Sequence, residues 1–272
     1  MDLTLALPSG ILDFMKSFFC SLLAGLALIT LQAQAREPNA LESSTQILVV
    51  TTSDWNAVEG TLQRYERANP RKKWQAVGEP VTVVVGKNGL GWGSGALLTD
   101  GPEIRAASDP IKKEGDGKAP AGVFALGTVF GYAPQPLAGL KMPYQNLTTS
   151  IECVDDTSSK FYNRLVDHTT VAADWNSSEH MLRPDELYRW GIFVDHNANP
   201  PTPGGGSCIF LHIWRGPGKG TVGCTAMPQE QIESLLSWLD PARKPLLVQL
   251  PAPQYERLKK RWKLPALRSQ AK

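Results

Sequence analysis

The sequence predicts a mainly β domain of the α+β class, with a few helices at its periphery. Six segments combine apolar, alternating or β-branched residues with the short length typical of strands. Only two segments carry apolar residues at helical spacing, and loops rich in proline and glycine separate the strands. The predicted strands cover residues 46–51, 81–85, 123–126, 190–196, 209–214 and 246–250.

The first predicted helix follows the first strand. Ser53 can cap its amino end, and an Asn-Pro pair at residues 69–70 would end it. Its apolar face would comprise Trp55, Val58, Leu62 and Tyr65, which recur at the spacing of a helix. Residues 46–73 are therefore expected to form a strand–helix unit that leads into a catalytic domain of residues 74–251.

The second predicted helix begins at Pro228 and ends before Pro241. Its apolar face would comprise Ile232, Leu235, Leu236 and Leu239. After a closing strand, residues 252–272 are rich in lysine and arginine. This basic tail is expected to be either a docking helix or a mobile arm attracted to an anionic surface.

Residues 1–35 have the features of a secretory signal peptide. Lys16 precedes an apolar run from Phe18 to Leu31, and Ala33-Gln34-Ala35 is a small-residue cleavage site. The run is shorter than the ~20 apolar residues that a membrane span needs, so no stable span is expected after cleavage. The sequence thus predicts export to the periplasm or cell envelope, with residues 36–45 as a disordered linker.

The charge of the exported chain is mild. Without residues 1–35 it carries 27 basic and 24 acidic residues, a net charge of +3. This balance does not indicate a nucleic-acid partner, and it does not exclude an anionic wall polymer. The remaining length of about 237 residues is enough for one domain with a full core.

Three cysteines remain after cleavage, namely Cys153, Cys208 and Cys224. An odd number in an oxidising compartment suggests one disulfide and one free thiol. If Cys224 is a nucleophile, the bridge joins Cys153 to Cys208, whereas either other pairing would consume Cys224. The spacing alone leaves these pairings open.

The most informative stretch is residues 208–227. His212 lies on a predicted strand, a glycine-rich loop follows at residues 216–220, and the chain returns to Cys224. This path can bring the imidazole to the thiol, where it could remove the proton and create a nucleophilic thiolate. Gly223 has no side chain, so backbone N–H groups around Cys224 are candidates for an oxyanion hole. The alternative is a structural histidine beside an inert buried thiol.

Three further residues are expected to contact a substrate. Thr221 and Trp214 flank the proposed pair, and His196 ends the strand at residues 190–196. A zinc site could be drawn from His196, His212 and Cys224, but the spacing fits no compact zinc motif, so no metal is expected.

Two separated motifs resemble the L,D-transpeptidase catalytic domain (YkuD-type) family, over residues 74–251. Residues 113–124, Lys-Glu-Gly-Asp-Gly-Lys-Ala-Pro-Ala-Gly-Val-Phe, are similar to the family's Gly-Asp…Thr-Pro-x-Gly-x-Phe element. Phe210-Leu211-His212 with residues 221–227, Thr-Val-Gly-Cys-Thr-Ala-Met, is similar to its His…Ser-x-Gly-Cys-x-Arg-Met element. The resemblance implies packed, curved β-sheets, Cys224 as nucleophile, His212 as base with its other nitrogen held by a backbone carbonyl, and no cofactor.

The resemblance also implies acyl transfer on peptidoglycan stem peptides. Cys224 would attack the carbonyl of the third-position diamino acid and expel the terminal D-alanine, and an amine or water would then take the acyl group. The chain departs from the family pattern at Thr221, Ala226 and Ile213, which replace the usual Ser, Arg and Gly. The sequence around Ala226 is similar to a branch that includes hydrolases detaching lipoprotein from peptidoglycan. A thiol amidase or carboxypeptidase on the same fold, or a non-catalytic wall-binding module, therefore remains an alternative.

Overall fold

The computed structural model describes residues 40–97, 103–133, 135 and 137–267. The predicted signal peptide at residues 1–35 lies outside the described residues. The strands are β1 Gln46–Thr52, β2 Glu59–Glu66, β3 Gln75–Val84, β4 Leu90–Trp92, β5 Ala119–Gly131, β6 Tyr144–Asn146, β7 Ile151–Val154, β8 Leu165–Asp167, β9 Ser178–His180, β10 Trp190–Val194, β11 Phe210–Ile213, β12 Thr225–Met227 and β13 Leu246–Pro251. The helices are α1 Ala40–Ser43, α2 Gln229–Trp238 and α3 Ala252–Trp262, with 3₁₀ turns at Glu186–Tyr188 and Pro241–Arg243.

Ten strands form one large curved sheet. Its order is β10-β11-β12-β3-β2-β1-β13-β5-β4, and β6 pairs with β5. Strand β5 also pairs with β10, so the path of strands returns on itself. The central strands β1 and β13 run parallel and are almost entirely buried, as expected for continuous apolar runs covered on both faces. The predicted mainly β class with packed, curved sheets and few helices is confirmed.

The helix predicted after the first strand is wrong. Residues 59–66 form β2, which pairs antiparallel with β1, Leu62 lying beside Val50. The pairing with β1 is regular, so Leu62 and Tyr65, three residues apart, lie on opposite faces of β2, and both side chains are buried. The irregularity in the pairing with β3 lies on β3, where Val77 to Val81 span the length that Leu62 to Arg64 span on β2. The spacing of these apolar residues of β2 is also that of a helix, but pairing with the buried β1 determines the strand conformation.

The predicted disorder of residues 36–45 is wrong for the part that the structure describes, residues 40–45. Leu41 and Ser44 are buried, and the Arg67 guanidinium donates to the carbonyl oxygens of both residues. These hydrogen bonds pair two carbonyl oxygens that would otherwise be buried without a partner, and they hold the segment against the domain. The rest of the predicted linker, residues 36–39, lies outside the described residues.

The basic tail begins with a docked helix. Tyr255, Leu258 and Trp262 of α3 are buried against the core, and the Tyr255 hydroxyl donates to the carbonyl oxygen of Pro265. Its lysines and arginines lie on the other positions of the helix, so the amphipathic pattern explains the docking. Of the two alternatives for this segment, the docking helix is the one observed, over Ala252–Trp262. The structure describes the tail as far as Leu267. Within the described part of the chain, no helix has both the length and the apolarity to cross a membrane.

A second, three-stranded sheet in the order β8-β7-β9 lies in the segment between β6 and β10. A disulfide joins Cys153 of β7 to Cys208, two residues before β11. The pairing predicted for a nucleophilic Cys224 is therefore confirmed, and Cys224 is free. The disulfide ties the small sheet to the strand that carries His212.

Candidate active site

Strands β11 and β12 bring His212 and Cys224 to one face of the large sheet. They run parallel, with His212 beside Ala226 and Leu211 beside Thr225. Cys224 lies one residue before β12, and the Phe210 N–H donates to its Sγ over 3.3 Å. Because side chains alternate along strands, His212 and Cys224 share a face and are offset by two positions. Both line a cleft with about 520 Å³ of empty space.

The Cys224 thiol is buried, with 4% of the residue exposed. Burial, and after it the negative charge of Glu179, raise its pKa to about 12, although the hydrogen bond from the Phe210 N–H opposes this shift. The protonated thiol can donate to the Cys208 carbonyl oxygen at 3.6 Å. In the free protein the sulfur is therefore a thiol, and a base must remove its proton before it can attack.

His212 has the form that such a base requires. It is 6% exposed, and burial lowers its pKa to about 4, although the Ile213 carbonyl partly opposes this shift. The Nδ1 atom lies 2.7 Å from the Ile213 carbonyl oxygen, which assigns the hydrogen to Nδ1. Nε2 then carries the lone pair of the neutral imidazole. The edge-on ring of Tyr188, 5.2 Å away between centroids, restrains the orientation of the imidazole.

Cys224 is expected to react slowly with iodoacetamide at pH 7 because its thiolate is scarce. Below its pKa the alkylation rate should rise about tenfold per pH unit through pH 9, whereas free cysteine levels off near its pKa of about 8.5. Peptide mapping after timed labelling measures this profile. A fast rate that stays flat from pH 6 to 8 would show a preformed thiolate and contradict the assignment.

The oxyanion donor expected at Gly223 needs a correction. The Gly223 N–H donates to Thr221 Oγ1 over 3.1 Å, and the Thr221 hydroxyl donates to the Cys224 carbonyl oxygen over 2.6 Å. These bonds fix the turn that presents the sulfur. The Cys224 N–H has no acceptor among the described residues, so it is the better candidate to receive a tetrahedral oxygen.

The three expected substrate contacts divide into two groups. Trp214 and Thr221 line the cleft together with His212 and Cys224. His196 does not, and the expectation that it contacts substrate is wrong. It is 1% exposed, and its Nδ1 and Nε2 lie 3.2 and 2.9 Å from the carbonyl oxygens of Ser94 and Gly205. A histidine at the end of a strand is typical of a site residue, but the His196 ring instead joins the loops that carry Ser94 and Gly205.

Sequence reasoning missed a polar cluster at the cleft. Glu179 of β9 accepts a 2.6 Å hydrogen bond from the Tyr188 hydroxyl and lies 3.6 Å from the Arg183 guanidinium. Arg183 is also held by a bidentate pair with Asp185. The predicted disulfide was the one sequence feature that could have pointed to Glu179, because Glu179 lies beside Cys153 in the β7–β9 ladder. That pairing between distant segments cannot be read from local pattern.

The potential metal triad is not assembled, since His196 is held away from the cleft by its two loop contacts. Among the described residues, no three His, Cys, Asp or Glu side chains are grouped to hold a metal ion.

The comparisons with known proteins give one family. The model of the L,D-transpeptidase catalytic domain, YkuD, matches residues 52–248. No curated protein and no solved structure matched the chain. The match spans most of the sequence and includes β2, both motifs and the His212–Cys224 cleft. This chain therefore belongs to the L,D-transpeptidase catalytic domain family, YkuD.

Proposed function

We propose that this protein is an exported cysteine acyltransferase that acts on peptidoglycan stem peptides through a Cys224 thioester. The observation that carries the proposal is the placement of one free thiol and one neutral imidazole on the same face of a cleft. Membership of a family that acts on peptidoglycan supports the substrate class. The predicted signal peptide at residues 1–35 supports action in the periplasm or cell envelope.

The first half-reaction forms the thioester. His212 Nε2 removes the Cys224 proton, and the thiolate attacks the carbonyl of the third stem residue. The Cys224 N–H stabilises the oxygen of the tetrahedral intermediate. When the intermediate collapses, the peptide C–N bond breaks, and His212 returns its proton to the leaving amine of the terminal D-alanine. Because burial disfavours both the thiolate and the imidazolium, substrate binding must supply part of their stabilisation.

The second half-reaction releases the acyl group. An amine of a neighbouring stem, or water, attacks the thioester carbon, the C–S bond breaks, and His212 accepts the proton of the attacking group. Exposed Arg215 and Lys219 line the same cleft and can receive a carboxylate of the substrate. They can supply the positive charge that the family's usual arginine would bring at Ala226.

A thiol hydrolase on the same site is the second candidate. Ala226 lines the cleft where the family pattern has an arginine, and this departure favours a hydrolase that trims stems or detaches a wall-linked lipoprotein. Both candidates use the same thioester and differ only in the group that attacks it.

The two candidates predict different products. Purified protein lacking residues 1–35, incubated with isolated peptidoglycan, is expected to create crosslinks between third-position diamino acids. Muramidase digestion followed by mass spectrometry measures these crosslinks, and Cys224→Ala protein is the control. Trimmed stems or released lipoprotein without new crosslinks would establish the hydrolase. Unchanged peptidoglycan fragments and no released lipoprotein would favour a non-catalytic wall-binding module.

A further inference from the structure

A convex, positively charged surface lies at the end of the large sheet where β1 begins, and we call it the basic corner. Residues 68–73, which form the turn between β2 and β3, are all exposed. The exposed cations of the basic corner are Arg71, Lys72 and Lys73 of this turn, together with Lys244. Among the described residues, no carboxylate lies within ion-pair distance of any of the four.

Contacts inside the basic corner hold the β2–β3 turn in one shape. The Arg67 guanidinium lies over the Trp74 ring, 4.1 Å from its centroid, and donates to the Pro70 carbonyl oxygen over 3.0 Å. Asn69 Oδ1 accepts a hydrogen bond from the Arg71 N–H over 3.0 Å. The cations of the turn are therefore presented by a structured backbone, so binding to a partner does not have to order it.

The carboxylates that reach the basic corner are already paired with other cations. Glu42 of α1 lies 3.3 Å from the Lys263 ammonium, and Glu66 of β2 lies 2.8 Å from the Arg243 guanidinium. These pairs leave the positive charge of the corner uncompensated. A concentrated charge of one sign attracts partners of the opposite sign.

The basic corner adjoins the first residues that the structure describes. The Arg67 guanidinium that donates to Pro70 also donates to the carbonyl oxygens of Leu41 and Ser44. The predicted cleavage site at residue 35 precedes Ala40 by five residues, which span at most about 18 Å when extended. Because the apolar run of a signal peptide lies in the bilayer until it is cut, export would bring this corner close to lipid headgroups.

Strand β3 separates the basic corner from the reacting pair. The strand begins next to the corner at Gln75 and ends at Val84, which pairs with Ala226, two residues after Cys224. A strand of this length spans about 30 Å. A surface bound by the corner would therefore leave the His212–Cys224 cleft open.

We propose that the basic corner binds the anionic headgroups of a phospholipid bilayer and holds the cleft at the far end of β3 from the lipid. Such a surface goes beyond the proposed function and shares with it only the predicted export of the chain. A convex turn suits a flat partner, because its cations can approach a plane of headgroups together. The short chain between the corner and the predicted signal peptide favours the bilayer over a wall polymer. Each lysine or arginine near an anionic bilayer contributes about fivefold to the affinity.

Binding to lipid vesicles tests this surface. The described fold lies within one compact unit, Pro38–Lys272, so protein lacking residues 1–35 retains it. This protein is expected to sediment with vesicles of phosphatidylglycerol and phosphatidylcholine in equal parts, and not with vesicles of phosphatidylcholine alone. Replacing Arg71, Lys72 and Lys73 together by glutamine should weaken binding about 10²-fold, and adding Lys244→Gln should weaken it about fivefold more. Raising the salt concentration from about 0.1 M to about 1 M should release the unchanged protein, because the Debye length falls from about 10 Å to about 3 Å.

The matched control removes the same charge elsewhere on the surface. Lys87, Lys113 and Arg164 are exposed and lie outside the basic corner. Replacing all three by glutamine should leave vesicle binding nearly unchanged, since charges more than about 10 Å from the lipid are screened. Equal weakening by the two triple variants would show attraction by net charge alone and would overturn the basic corner.

Sedimentation does not require catalysis, so this test and that of the proposed function can fail separately. The triple variant of the corner should turn over a soluble tetrapeptide at the unchanged rate, because its substitutions lie about 30 Å from Cys224. Normal turnover without vesicle binding would overturn the basic corner and keep the acyltransferase. Vesicle binding that the triple variant loses, in a protein that never forms a thioester, would do the reverse. Binding to isolated peptidoglycan that weakens in the triple variant, without vesicle binding, would overturn the bilayer as the partner and assign the corner to a wall polymer.

Discussion

Replacing Cys224 by alanine is expected to abolish both crosslinking and stem trimming, because no other thiol is free in the described chain. Replacing His212 by alanine should lower the rate of thioester formation by about 10²–10⁴-fold, the usual contribution of a general base. Rates with a synthetic tetrapeptide measure both effects. Circular dichroism must show that each variant keeps its fold.

His180→Ala is the control for the histidine substitution. The His180 side chain is 75% exposed, lies near Glu152 and does not line the cleft of His212 and Cys224, so its loss should leave the rate unchanged. Wild-type turnover in a folded Cys224→Ala protein would refute covalent catalysis. An unchanged rate in His212→Ala protein would contradict the role of His212 as the base that deprotonates Cys224.

Removing the disulfide is expected to produce the largest loss of stability. Replacing both Cys153 and Cys208 by serine should lower the free energy of unfolding by about 2–5 kcal/mol, because the bridge closes a long loop between the small sheet and β11. Urea denaturation measures this loss. Dithiothreitol should shift the wild-type midpoint in the same direction and leave the double variant unchanged. Equal midpoints for wild-type and double-variant proteins would contradict a stabilising role for the bridge.

The sequence predicted that His212 and Cys224 lie close together because the geometry that joins them is local. His212 lies on β11 and Cys224 directly precedes β12, with one glycine-rich loop between them, so alternation along the strand and a short return were enough to predict that they share a face. The strand class of the core was predictable for the same reason, since β1 and β13 are short apolar runs. These features depend on residues close together in the chain.

The parts that were missed depend on contacts between distant segments. Residues 53–69 carry apolar side chains at helical spacing, and only the pairing of β2 with β1 shows why residues 59–66 form a strand. His196 looked like a site residue, but contacts with Ser94 and Gly205 bury it. The β7–β9 ladder brings Glu179 to the cleft that Cys224 also lines, and no local pattern encodes this pairing.

The most direct test of the central claim is the mass of the intact protein during turnover with a stem tetrapeptide. Covalent catalysis predicts an adduct with the mass of the tripeptidyl acyl group on Cys224, formed as the tetrapeptide releases D-alanine and lost when an acceptor amine is added. Peptide mapping locates the adduct. An adduct on another residue, or turnover with D-alanine release from a folded protein lacking the Cys224 sulfur, would contradict it.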